Sequence, residues 1–132
     1  MVFLKAKYQK RLLEWIAALE SGKYRKGKYR LKTSQGRFCC LGVACEVYGL
    51  VPSKSFRYWE YDGNERILPP EVQKWLGLKS KSGSFDWGNL AQINDNARGF
   101  KAVLKILKDP PRSLFADDAI LPSILRKESK FD

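Results

Sequence analysis

Residues 39–50, CCLGVACEVYGL, are apolar almost throughout and carry one charged side chain, Glu46. Their apolar positions recur at helical spacing, and Gly49 followed by Pro52 ends the run. A helix with so little polar surface belongs in the interior of a domain. We therefore predict one central buried helix at 39–49, around which the rest of the chain packs.

Amphipathic helices are predicted on both sides of this central helix. One apolar stripe runs through residues 4–20 and stops at Ser21-Gly22, and another runs through 100–107. Between them, two prolines open a short helical segment at 69–77, which a glycine ends. Together with the central helix, these segments make about four helices.

Two short β-hairpins complete the predicted architecture. KYRLK at 28–32 and RFC at 37–39 flank a turn, TSQG, and FRYWEY at 56–61 and NERIL at 64–68 flank Asp62-Gly63. An Asp-Gly pair suits a type I′ turn, because both central residues need positive φ. The predicted fold class is α+β, a single compact domain with about four helices and two short antiparallel β-hairpins.

A chain of 132 residues is predicted to form one domain, 1–132, because a second hydrophobic core needs more residues. It begins with a basic helix and hairpin at 1–37 and ends with a C-terminal extension at 109–132. Residues 79–88 are typical of a mobile loop, and one weak helical turn is expected around 120–125. The sequence shows no internal repeat.

The composition excludes several functional classes. The mean hydropathy is −0.42, and no run of eighteen apolar residues could cross a membrane. The lysine-rich first ten residues do not resemble a signal peptide, so we expect no membrane partner and a cytoplasmic location. The chain has no histidine, which removes the commonest general base and metal ligand.

Three cysteines, Cys39, Cys40 and Cys45, lie within seven residues, but their spacing does not fit a zinc site. A thiol at a helix start beside Arg37 is a candidate thiolate, although a buried, small apolar role is the favoured interpretation. We therefore expect no catalytic residues, no metal and no cofactor, and predict that the protein is not an enzyme.

Charge is the strongest functional signal in the sequence. Lysine and arginine number 25 against 14 acidic residues, which gives a net charge of +11. Residues 1–37 hold eleven of these bases and two acids. A field of that shape attracts anions, so we expect an anionic ligand, either a nucleotide or a nucleic acid. The alternative is a basic surface that only keeps the protein soluble.

The first hairpin supplies the main candidates for phosphate binding. Alternation would place Lys28, Arg30 and Lys32 on one face, beside Arg37 across the turn. Tyr24 and Tyr29 lie between these charges and could stack on a base. The alternative is an exposed hairpin whose lysines protect its edge from pairing.

Two further groups are candidates for ligand recognition. Asn94 and Asp95 could read a base or sugar while Arg98 meets phosphate, although capping of the last long helix is the alternative. Trp59, on the second hairpin with two tyrosines, could be a stacking platform, although rings of so small a domain also fill its core.

Three segments resemble a known group of proteins: RFCCLGVACEVYGL (37–50), ILPPEVQKWLGL (67–78) and LAQINDNARGFKAVLKIL (90–107). They are similar to a family of small, mostly uncharacterised accessory proteins of tailed bacteriophages and prophages with the pattern CCLGV, LP..V..WLGL and L..-N-D. The resemblance covers residues 10–108. The chain departs from the usual pattern at Asn96-Ala97-Arg98, where a glycine-bearing turn is more common, and in its basic N-terminus.

The resemblance implies a protein acting in the cytoplasm of a bacterial host. Phage accessory proteins of this kind often block host defences, so we expect a non-enzymatic protein that sequesters a nucleotide immune signal. One alternative is a basic nucleic-acid-binding protein. Another is inhibition of a host enzyme by protein–protein contact, with a host defence protein as partner. A homo-oligomer is also left open.

Overall fold

The computed structural model describes residues 2–122, in which helices and short strands combine in an α+β fold. Five α-helices and two two-stranded antiparallel hairpins make up this part of the chain. The helices are α1 (Ala6–Glu20), α2 (Cys40–Tyr48), α3 (Pro70–Leu76), α4 (Leu90–Asp95) and α5 (Lys101–Lys108). The strands are β1 (Ser53–Ser55), β2 (Tyr58–Glu60), β3 (Ser84–Phe85) and β4 (Gly88–Asn89). The predicted fold class is confirmed.

Helix α2 is the centre of the core, as predicted, and every residue from Cys40 to Cys45 is buried. It ends at Gly49, whose φ of 106° lies in the left-handed region that favours glycine. Gly42 is required for packing, because a Cβ there would lie 1.8 Å from the carbonyl oxygen of Leu31. The segment before α2 therefore crosses directly over the helix backbone.

Helix α1 covers α2 through a stripe of buried side chains at the predicted spacing. Trp15 is fully buried, and its indole N–H donates to the carbonyl oxygen of Cys40 at 2.9 Å. Helices α3, α4 and α5 pack around this pair, with α1 contacting α3 and α5, and α2 contacting α3 and α4. The result is a helical core that carries the hairpins at its surface.

Of the hairpin predicted at 28–32 and 37–39, only the part next to its turn forms, with an antiparallel bridge between Lys32 and Phe38. The turn at 33–36 forms, with Thr33 N–H donating to Arg37 O at 2.7 Å, but only single bridges link Phe38 to Lys26 and Lys32. The alternation fails because Tyr29 has a φ of 71°, which reverses the direction of successive side chains.

The second hairpin lies earlier in the chain than predicted, with β1 paired to β2 around a turn at Phe56-Arg57. The Asp62-Gly63 turn does form, and both residues have positive φ, 49° and 82°. It closes only one bridge, Tyr61 to Asn64. The chain after it leaves the sheet because Glu65 O accepts from Leu31 N–H and Leu68 N–H donates to Lys81 O.

The remaining hairpin, β3 paired with β4, spans 84–89 and so begins inside residues 79–88, which were predicted to be a loop. Residues of the expected C-terminal extension also join the core, since Leu114, Phe115 and Ala119 are buried. Ile120 pairs with Leu4 in a β-bridge instead of starting a helical turn. The rest of that expected turn, 123–125, lies outside the described residues. Within residues 2–122, no helix is long and apolar enough to cross a membrane.

Candidate anion-binding groove

A long open groove runs between the end of α1 and the exposed side of α5. Its volume is about 1360 Å³, and a smaller cavity of about 460 Å³ continues it. We call the two together the basic groove, because eight of the residues that line it are basic and one is acidic. The basic residues are Arg25, Lys26, Lys28, Arg37, Arg98, Lys101, Lys105 and Lys108.

The wall on the α1 side is fixed by pairing of two extended segments. Phe38 N–H donates to Arg25 O at 2.8 Å, and Gly27 N–H donates to Phe38 O at 2.6 Å. Arg37 is thereby held next to Arg25, with its side chain exposed to the groove. The opposite wall is the turn between α4 and α5, where Arg98 is exposed, followed by the lysines of α5.

Lys26 joins the two walls. Its ammonium group donates to the carbonyl oxygen of Ala97 across the groove. Partial burial lowers the pKa of Lys26, and the nearby carboxylate of Asp95 opposes that shift. The bond also holds the turn that carries Arg98, so Lys26 positions a neighbouring cation as well as contributing its own charge.

The charges of the groove are poorly compensated by the protein itself. The one acidic lining residue, Glu20, accepts a hydrogen bond from Lys108 at 2.7 Å. The guanidinium groups of Arg25, Arg37 and Arg98 have no hydrogen-bond or ion-pair partner among residues 2–122. Like charges held together without partners repel, so an anion that enters the groove relieves that repulsion.

The candidate binding residues predicted from the sequence lie in separate places in the structure. Lys28, Arg37, Arg98 and Tyr24 line the basic groove. The predicted common face of the basic residues at 28, 30 and 32 does not exist, because the backbone reverses at Tyr29. Its other two cations lie elsewhere on the molecule.

Those two cations, Arg30 and Lys32, pack against aromatic rings of the β1–β2 hairpin. The Arg30 guanidinium lies 3.3 Å from the ring centroid of Tyr58 and bonds Glu65 at 2.8 Å. Lys32 Nζ lies 4.1 Å from the ring centroid of Trp59, and Lys54 lies 5.6 Å from the same ring. We call these residues the cation–π cluster: Arg30, Lys32, Lys54, Tyr58, Trp59 and Glu65. Its cations already have partners, and its two rings already have cations beside them.

Asn94 is fully buried, and its amide bonds only to the chain itself. Its Oδ1 accepts from Cys40 N–H at 3.0 Å, and its Nδ2 donates to Gly27 O at 3.0 Å. It therefore holds the start of α2 against the groove wall and presents no group to a ligand. The alternative expectation, a cap for the last long helix, is also wrong, because the N-cap residue of α5 is Phe100 and no side chain caps the helix.

Asp95 and Tyr29 lie beside a separate cavity of about 200 Å³ that Cys39 also lines. The Asp95 carboxylate accepts from Tyr29 N–H at 2.9 Å and from Asn94 Nδ2 at 3.2 Å. The left-handed backbone at Tyr29 is thus held by a carboxylate, and its ring is exposed. These two residues are not in the basic groove.

The cysteines are buried, as favoured from the sequence. Cys39 accepts a hydrogen bond from Gly42 N–H at 3.4 Å, so it caps α2. Burial raises the pKa of Cys39 to about 11, and it also raises the pKa of Cys40 and of Cys45. At neutral pH these side chains are thiols, which are poor nucleophiles. Within residues 2–122, no cluster of acidic or cysteine side chains is arranged to hold a metal ion.

Several groove residues were missed from the sequence, notably Lys26, Lys101 and Lys105. The last two are four residues apart on the polar side of the α5 stripe, a pattern that usually means an ordinary solvated helix face. The feature of the sequence that could have identified them is their position shortly after Arg98, within the helix predicted at 100–107. Lys26 lies in the basic run before residue 28, but nothing local indicates that it bonds to a carbonyl 71 residues away.

The fold and groove define a small basic α+β protein with an open groove lined by basic side chains. The chain belongs to the family described as a domain of unknown function, DUF8296, whose sequence profile matches residues 8–111. That match includes both walls of the basic groove, from Leu19 to Lys108. No curated protein and no solved structure shows a significant match to the chain.

Proposed function

We propose that the protein binds a phosphate-bearing ligand in the basic groove and catalyses no reaction on it. The observation that carries this proposal is the cluster of basic side chains around one open groove, three of them arginines without a partner among residues 2–122. Planar guanidinium groups match phosphate oxygens in pairs, and several together favour a multiply charged anion.

The groove also suits a ligand that has an apolar, planar part. Tyr24 and Leu104 are half-buried in its floor, between the basic walls. A nucleobase can lie on such a floor while its phosphate meets the arginines. The buried cysteine thiols, with raised pKa values, offer no nucleophile to a bound phosphate ester. Binding without chemistry is therefore the simplest use of the groove.

The resemblance to phage accessory proteins suggests a role for this binding. We propose that the protein sequesters a nucleotide signal of the host and so counters a host defence. Sequestration requires tight binding and no turnover, which fits a groove that combines many cations with no reactive group.

A nucleic-acid strand is the second candidate, because the groove is open along the length of α5. The salt dependence of the binding constant distinguishes a nucleic-acid strand from a single nucleotide. Binding to a strand releases many counterions, so log K falls steeply with log salt, whereas a single small ligand gives a shallow slope. For a strand, each lysine–phosphate contact removed lowers the slope by about one.

The test begins with the protein as purified from expressing cells at low salt. After denaturation, the released material is analysed by ultraviolet absorbance and mass spectrometry. We expect a nucleotide or oligonucleotide at fixed stoichiometry from the unmodified protein and none from the double variant Arg37→Ala/Arg98→Ala. The matched control is Arg57→Ala/Arg112→Ala, which removes two exposed arginines outside the groove. A protein that releases nothing and binds no nucleotide in titrations would overturn the proposal.

A further inference from the structure

The basic groove has two compartments of different character. The larger one has apolar side chains in its floor, namely Leu19, Tyr24, Phe100 and Leu104. The smaller one is lined by polar and basic side chains such as Lys28, Thr33 and Gln35, apart from one alanine and one glycine. A ligand that fills both compartments must therefore be charged at one end and partly apolar along its length.

The junction between the compartments is the most basic point of the groove. Lys26, Arg37, Ala97 and Arg98 line both compartments, so the bond from Lys26 to Ala97 lies where the two meet. Three cations at one point match the charge of one phosphate group, which has several oxygens to accept their hydrogen bonds. The junction is thus suited to hold one anionic group of a ligand.

A second group of cations lies on α5, away from the junction. Lys101, Lys105 and Lys108 recur at helical spacing along the rim of the larger compartment. With a rise of about 1.5 Å per residue, the first and last of these are about 10 Å apart along the helix axis. Lys108 is bonded to Glu20, which leaves Lys101 and Lys105 for a ligand.

Lys101 is also in an unfavourable place for a structural role. It occupies the first turn of α5, where the helix dipole disfavours a cation, and that turn has no acidic residue. Its charge therefore costs some helix stability and is better explained by an anion bound in front of it. Its neighbour Lys105 lies in the last turn, where the same dipole favours a cation.

We infer that the ligand of the groove is an oligonucleotide of at least two linked nucleotides. One phosphate lies at the junction with Lys26, Arg37 and Arg98, a second lies on Lys101 and Lys105, and a base between them rests on the floor beside Tyr24. This inference rests on the proposed function and adds the class of ligand. The larger compartment, at about 1360 Å³, exceeds the range of about 300–1,000 Å³ typical of sites for one small molecule.

The experiment compares three probes by isothermal titration calorimetry: a nucleoside 5′-monophosphate, a 5′-phosphorylated dinucleotide and a 5′-phosphorylated tetranucleotide. The proteins are the unmodified chain, Lys101→Ala/Lys105→Ala and Arg37→Ala/Arg98→Ala. A lysine control, Lys10→Ala/Lys79→Ala, removes two exposed charges outside the groove. Thermal unfolding checks that each variant folds.

We expect the dinucleotide to bind at least about ten-fold more tightly than the monophosphate, because it gains a second charged contact. The Lys101→Ala/Lys105→Ala variant should lose that advantage, so that it binds the dinucleotide no more tightly than it binds the monophosphate. The lysine control should retain the advantage.

Two results would overturn the inference, and they differ in what they say about the proposed function. If monophosphate and dinucleotide bind equally well and the α5 variant changes neither, the second position is absent and the proposed function still stands. If no probe binds the unmodified protein and Arg37→Ala/Arg98→Ala changes nothing, both the inference and the proposed function are wrong.

Discussion

The basic groove and the cation–π cluster are both rich in basic and aromatic residues, yet they differ in what the cations contact. In the cluster, Arg30 lies over Tyr58 and bonds Glu65, so its charge is used inside the protein. In the groove, Arg37 and Arg98 have no such partner among residues 2–122. A basic, aromatic stretch of sequence can therefore contain two kinds of cation. Some stabilise the fold through contacts with rings and carboxylates, and others remain available for a ligand.

The largest expected effect is loss of binding in the groove. Arg37→Ala/Arg98→Ala should weaken binding of a nucleotide ligand by about 100-fold or more, because each charged hydrogen bond contributes about 1.5–3 kcal/mol. The free energy of unfolding should stay within about 0.5 kcal/mol, since both side chains are exposed. Calorimetric titration and urea unfolding measure the two quantities. If the variant bound the ligand normally, the groove arginines would not be ligand contacts, and the basic groove and the cation–π cluster would no longer differ in function.

The next effect concerns the wall that the groove shares with the core. Asn94→Ala should lower the free energy of unfolding by about 2–4 kcal/mol, because it leaves Cys40 N–H and Gly27 O buried without their partner. Asn96→Ala, two residues on and exposed, is the control and should change it little. Urea unfolding of the two variants tests this role, and equal stabilities would contradict it.

A smaller effect is expected in the cation–π cluster. Arg30→Ala should lower the free energy of unfolding by about 1–2 kcal/mol, through loss of the ring contact and the partly exposed ion pair. Its affinity for a groove ligand should be unchanged. Arg57→Ala, at the exposed turn of the same hairpin, is the control for stability. If Arg30→Ala weakened ligand binding without changing stability, the cluster would be part of the site.

The smallest effect is on the pH dependence of stability. The pKa of Cys39 is raised from about 9 to about 11 in the folded protein, so the unfolded chain ionises first as pH rises. Stability due to this thiol is complete below about pH 9 and is lost between about pH 9 and 11. Cys39→Ala should therefore show a shallower decline over that range in urea unfolding.

Thiol reactivity gives an independent check on the same cysteine. At neutral pH the native protein should react with a thiol reagent far more slowly than the denatured protein, because burial keeps the thiol neutral. Rapid labelling of the native protein would show that a cysteine is accessible and reactive, and the proposal of binding without chemistry would then lose this support.

The helices of this fold were largely predictable, because their apolar periods are strong and their ends carry glycine or proline. Gly49 ends α2 and Gly77 ends α3 in left-handed conformations, as their positions in the sequence indicated. The first hairpin was placed correctly only around its turn, because Tyr29 reverses an otherwise alternating segment with a positive φ. Asp95 stabilises that conformation from 66 residues away, which no local pattern reveals. The second hairpin was placed too late in the chain, because its strands pair around Phe56-Arg57.

The candidate site was predictable in its charge and only partly in its residues. Lys28, Arg37, Arg98 and Tyr24 were identified because basic and aromatic residues suit phosphate and base binding. Arg30, Lys32 and Trp59 had the same composition, but tertiary partners on the hairpin engage them. Whether a cation already has a partner in the protein depends on contacts between distant segments. The sequence alone therefore could not separate the cations of the basic groove from those of the cation–π cluster.

The most direct test is a titration of the isotopically labelled protein with a 5′-phosphorylated dinucleotide, followed by amide chemical shifts. If the basic groove binds the ligand, we expect large changes at Lys26, Arg37, Arg98 and Lys101 in the groove, and changes near zero at Arg30, Lys32 and Trp59 in the cation–π cluster. Changes concentrated in the cluster, with the groove amides unmoved, would contradict this expectation.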